Sequence, residues 1–194
     1  MGKEKHIRKV EELFRKSPVV DFSSIARITK TKNYSKQLIR NLILKGKIKK
    51  LAKGYYTIYD NASLVIFCFK QAYLGLQDAL SFHNLWEQEV IPIVITTGKV
   101  RTGLRKVLGA NVLIRRLNRK YFFGFDYYKS RFYLPYSDIE KTFIDMVHFK
   151  ENLSREILKE IKNKINMKKF NMYMKAYPKK FKNRVRKLLE QGVG

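Results

Sequence analysis

The 194-residue sequence predicts an α+β chain, and three observations carry that class. Apolar residues recur at helical spacing up to Ile43. β-prone runs set off by turn signals follow Gly46 and return between Val90 and Leu134. Residues 151–191 then keep a helical pattern to the end.

The first helix is expected within residues 1–20, where Ile7, Val10, Leu13 and Phe14 share one side and Ser17-Pro18 stops it. Ile25, Ala26 and Ile28 predict a short second helix, and Thr31, Lys32 and Asn33 a polar turn. In the third helix Leu38, Ile39, Leu42 and Ile43 form an apolar stripe, with Gly46 placed to cap its end. Residues 47–51 and 55–59 read as two strands around the tight turn Ala52-Lys53-Gly54. Helix, turn, helix and hairpin in that order is the order of a winged helix-turn-helix. It is expected over residues 1–60, with a boundary near Asp60-Asn61.

Residues 61–194 are expected to form a small α+β domain with a basic helical tail. The apolar run 62–74 is a buried helix or a core strand. A helix over 77–85 buries Ala79, Leu80, Phe82 and Leu85. Strands are expected at 90–97 (Pro92 at its start or at a sheet edge), 111–117 and 130–134. A glycine-punctuated basic loop spans 98–109, and an aromatic segment spans 121–125. Ser137 and Glu140 have capping-box spacing and open a helix with Phe143, Ile144, Met146 and Val147. Helices are expected at 153–165 and 167–177. A last helix, striped by Phe181, Val185, Leu188 and Leu189, is expected to end at Gly192.

Forty-two Lys and Arg against sixteen Asp and Glu give a net charge of +26, of which residues 1–60 hold +11, 61–149 hold +5 and 150–194 hold +10. Charge of that size points to a polyanion: DNA, RNA or an acidic membrane surface. On the third helix Asn33, Gln37 and Arg40 lie opposite the apolar stripe, with Tyr34, Lys36 and Asn41 on its shoulders. Asn and Gln match adenine edges, and Arg matches guanine or phosphate. Ser35 turns inward as a cap or packing residue. Lys49, Lys50 and Lys53 at the hairpin tip suit backbone phosphates. The same residues also fit an ordinary solvated helix beside a basic hairpin.

Signals for catalysis are thin. Asp138 and Asp145 lie seven apart, but Asp138 falls in a first helical turn. Ser81, His83 and Asp78 do not converge on a helix, and His6 and His148 lack partners at metal-ligand spacing. There is no phosphate-loop or dinucleotide motif. The 98–109 loop reads mainly as a solvated connection and the aromatic segment as core, with phosphate and base binding as their alternatives. Neither enzyme activity, metal nor cofactor is expected. Cys68, the single cysteine, is expected as a buried thiol in a reduced cytoplasmic protein. No apolar stretch is long enough to span a membrane, and no signal-peptide segment is evident.

Five segments in register resemble one family: KGKIKKLAKGYYTI (45–58), LQDALSFHNL (76–85), PIVITTGK (92–99), YFFGF (121–125) and SDIEKTFIDMV (137–147). Together they are similar to the AbiEi-type antitoxins of type IV toxin–antitoxin systems, which are prokaryotic abortive-infection modules. Ile139 stands where such proteins often carry proline in a Ser-Asp-Pro-Glu-Lys run. The resemblance implies a transcriptional autorepressor whose winged domain binds double-stranded DNA at repeats upstream of its own operon. It also implies functional pairing with a nucleotidyltransferase-like toxin, without a required stable complex. Inverted repeats would take two copies on DNA, although the chain shows no dimer heptads. Two other classes stay open: an RNA-binding protein using the basic C-terminal helices and the aromatic segment, and an interaction module docking an acidic partner.

Overall fold

The computed structural model describes residues 2–129 and 131–191, with the backbone alone for 2–4. The architecture is α+β, divided into two compact units: residues 1–70 with 105–112, and residues 71–104 with 113–194.

The first unit opens with α1 (Gly2–Lys16), which buries Val10 and Phe14. A two-residue strand, β1 (Val20–Asp21), follows; the sequence had not signalled it. Asp21 then caps α2 (Phe22–Thr29), its carboxylate accepting from the Ser24 N–H at 2.7 Å. Lys30 takes a left-handed conformation at φ 64°, and Thr31 precedes α3 (Lys32–Leu44). The link between the two helices is therefore Lys30-Thr31, and Lys32 and Asn33 belong to α3 rather than to the turn. Next come β2 (Lys49–Ala52) and β3 (Tyr55–Thr57), both shorter than predicted, joined through Lys53-Gly54 with Gly54 at φ 80°. The three strands pair in the order β1-β3-β2.

Val10, Phe14, Ile25, Leu38, Ile39, Leu42 and Ile48 make the core of this unit. Ile43, predicted as part of the α3 stripe, is 37% exposed. It lies at the stripe's margin, and Ser35, fully buried, occupies the centre instead. The unit continues past residue 60 because a 3₁₀ segment (Ala62–Cys68) buries Leu64, Val65 and Ile66 and packs on β2. The apolar run 62–74 is thus neither one helix nor one strand. Cys68 is half-buried rather than buried, and burial pushes its thiol up to about 12.

The second unit contains β4 (Ala72–Leu74), α4 (Gln77–Phe82) and β5 (Ile93–Thr96). Along the chain then come β6 (Gly103–Val107) and β7 (Ala110–Arg116), whose residues 105–112 are grouped with the first unit, followed in the second by β8 (Phe125–Tyr128) and β9 (Leu134–Ser137). The six-stranded sheet runs β6-β7-β5-β4-β9-β8. β5 is interior; Pro92 precedes it and only its carbonyl is used, by the Leu113 N–H at 2.9 Å. Much of the predicted 98–109 loop is strand β6 and a turn with Gly109 at φ 83°. The strand predicted at 130–134 forms instead at 134–137, where its partner β8 aligns Phe125 with Ser137; Ser130 lies outside the described residues.

That register also moves the cap of α5 (Ile139–Phe149). Ser137 is held in β9, so Asp138 caps the helix, accepting from the Lys141 N–H at 2.7 Å. Glu140 does not reach back as a capping box requires; it accepts from the Asn166 N–H at 2.6 Å. The tail forms the three expected helices, each somewhat shorter than its predicted span: α6 (Arg155–Lys164), α7 (Met167–Met174) and α8 (Lys179–Glu190). Extended backbone at Ile165 and Asn166 and proline at 178 make the breaks. Leu158, Ile161, Phe170, Met174, Val185 and Leu189 bury the inner stripes against α5 and the sheet. The predicted stop at Gly192 lies outside the described residues. No described helix is long and apolar enough to cross a membrane.

Candidate nucleic-acid interface

α3 presents one polar face. Asn33, Lys36, Gln37 and Arg40 are all exposed, within an arc of about 100° around the helix. Its opposite side is fixed by Leu38, Ile39 and Leu42 in the core. A second anchor is polar: the buried Ser35 hydroxyl lies 2.6 Å from that of Thr29 in α2 and donates to the Thr31 carbonyl at 2.7 Å. α2 therefore sets how α3 is rotated.

The remaining predicted contact residues separate. Tyr34 is half-buried, and its ring lies 5.7 Å from that of His6 in α1, so it braces α3 instead of joining the outer face. Lys50 and Lys53 are exposed, with Lys53 in the hairpin turn. Lys49 is not at the tip. It begins β2, and its ammonium is paired with the Asp60 carboxylate. Lys47 is likewise paired, with Glu11 at 2.7 Å. Among the described residues no ion pair engages Lys36, Arg40, Lys50 or Lys53. Sequence reasoning passed over Leu44, which is 74% exposed, although its spacing from Gln37 and Arg40 places it on the same face.

The second unit holds a buried polar network. Lys141 and Asp145, one turn apart in α5 and both fully buried, form an ion pair. Tyr73 donates to Asp145 at 2.5 Å, and Lys141 donates to the Tyr177 oxygen at 3.2 Å. Burial lowers the Lys141 pKa and raises that of Asp145, while each charge opposes the other's shift. Gly124, at φ 74°, passes so close that a Cβ there would lie 2.8 Å from Lys141 Cβ. With no exposed surface, the pair ties β4, α5 and the turn after α7 together and offers nothing to a ligand.

The other candidates for chemistry point to different partners. His83 Nε2 is 2.8 Å from the Ser137 carbonyl, whereas Asp78 accepts from the Ile93 N–H at 3.1 Å. Among the described residues no three His, Cys, Asp or Glu converge as metal ligands. The aromatic segment is engaged in packing. Tyr121 stacks on Tyr177 at 4.2 Å, Phe125 stacks on Tyr73 at 5.2 Å, and Phe123 meets Tyr173 at 5.1 Å.

No protein-family model matches the chain. No curated protein matches it either. Among solved structures, the RV2827C protein from Mycobacterium tuberculosis is similar over 96% of this chain and 76% of that one, with a TM-score of 0.67 and 13% sequence identity. The two chains share a fold. At that identity the likeness extends no further.

Proposed function

We propose that the first unit is a winged helix-turn-helix that binds double-stranded DNA, with α2 and α3 as the helix pair and β2–β3 as the wing. One observation carries the reading: the outer face of α3 exposes Asn33, Lys36, Gln37 and Arg40 together on a helix anchored from behind. Asn33 and Gln37 would read adenine, Arg40 guanine, and Lys36 the adjoining phosphate. Lys50 and Lys53 would hold phosphates from the wing. Lys49 contributes less, because Asp60 already compensates its charge. The net charge of +26 adds attraction that is independent of sequence and sensitive to salt.

The resemblance to AbiEi-type antitoxins supplies the biological role. In this reading the chain is a cytoplasmic, non-enzymatic autorepressor. It binds repeats upstream of its own operon, two copies per inverted repeat, and counteracts a nucleotidyltransferase-like toxin. A reporter fused to its own upstream region tests the first part: expression of the chain should lower transcription, and Gln37→Ala with Arg40→Ala should restore it. Co-expression with a neighbouring nucleotidyltransferase-like gene tests the second, through rescue of growth. A reporter indifferent to the wild-type chain would refute the repressor role.

A further inference from the structure

We infer that Leu44 extends the base-reading face of α3 and selects thymine by packing on its C5 methyl group. The inference rests on the DNA-binding reading above. Leu44 is 74% exposed, more than any other large hydrophobic side chain among the described residues. It follows Arg40 by four positions and Gln37 by seven, so it falls between Asn33 and Gln37, inside the exposed arc on its Gln37 side. Ile43 beside it is 37% exposed at the arc's margin. α3 closes immediately afterwards, so Leu44 is the last side chain of this face.

An aliphatic side chain in that position leaves its hydrocarbon in water in the free protein. The base edges of the major groove offer one apolar group, the thymine methyl. At 1.5 Å per residue, Leu44 lies about 6 Å along the helix from Arg40 and about 10 Å from Gln37. At about 3.4 Å per base pair that corresponds to roughly two to three steps beyond their bases. The operator half-site should therefore carry a thymine two to three base pairs from the position read by Arg40 or Gln37.

Deoxyuridine differs from thymidine only by the missing methyl, which makes the test direct. The full-length chain is titrated with its upstream duplex, with a scrambled duplex, and with a series in which each thymine is replaced singly by deoxyuridine. Wild type should lose about fourfold in affinity at one or two positions per half-site, as expected for one methyl returned to water. Leu44→Ala should bind more weakly overall and be indifferent at those positions. If Leu44→Ala kept the same sensitive positions, or wild type had none, the role of Leu44 would be overturned while preference for the upstream duplex left DNA recognition standing. Equal wild-type binding to upstream and scrambled duplexes would overturn both.

Discussion

The Thr29 and Ser35 hydroxyls meet at 2.6 Å, joining α2 to α3 across the two-residue link. Both side chains are buried, so the contact is shielded from water and fixes the rotation of the helix that presents Asn33, Gln37 and Arg40. Ser35→Ala leaves the Thr29 hydroxyl with only the carbonyls of Ile25 at 3.3 Å, Ala26 at 3.4 Å and Thr31 at 3.5 Å. It should cost about 1–2 kcal/mol in urea unfolding. A change below a few tenths would mean that apolar packing alone orients α3.

Contacts to bases and contacts to phosphates should separate in titrations. Arg40→Ala should cost about 1–3 kcal/mol on the upstream duplex and relax its preference at one position. Lys53→Ala should weaken all duplexes alike and reduce the salt slope by about one. Lys49→Ala should do less than Lys53→Ala, because its charge is already paired with Asp60.

The buried pair in α5 should show strong non-additivity. Asp145→Ala strands the Lys141 ammonium and should cost about 3–5 kcal/mol. Lys141→Met combined with Asp145→Leu should cost less than Asp145→Ala alone, although the Tyr73 and Tyr177 hydroxyls lose partners. Urea midpoints of the two variants decide it.

Burial pushes the Asp78 carboxyl up to about 7, against about 3.9 in an unfolded chain. The folded state holds this proton more tightly. Its contribution to stability is therefore complete below about pH 4 and is lost as the pH rises toward 7, at up to about 1.4 kcal/mol per pH unit. Asp78→Asn keeps an acceptor for the Ile93 N–H and cannot ionise. Its stability relative to wild type should rise between pH 5 and 7 in urea titrations at each pH, and a constant difference would contradict the assignment.

The helices were legible where one side of a local repeat meets the core, as with Val10 and Phe14 in α1, Leu38 and Leu42 in α3, and Val185 and Leu189 in α8. The exposed face of α3 followed from the same periodicity. Short strands were not legible, because β1 has two residues and takes its pairing from Tyr55 and Tyr56, far along the chain. β6 and β8 are likewise outer strands of their sheet. The cap of α5 moved from Ser137 to Asp138 because of pairing with β8, which no local motif encodes. Lys141 gave no local sign of burial; its environment comes from Tyr73 and Tyr177, both distant in sequence. The pairing of Lys49 depended in the same way on Asp60, beyond the hairpin.

Recognition of duplex DNA by α3 is tested most directly by fluorescence anisotropy. The purified chain would be titrated into its own upstream intergenic duplex, a scrambled duplex of equal length and a single-stranded RNA, each at two salt concentrations. Preference for the upstream duplex by about 10³-fold or more is the expected result. Equal, salt-sensitive binding to all three would show that the net charge of +26 acts only as a polyelectrolyte, and the base-reading role of Asn33, Gln37 and Arg40 would fall.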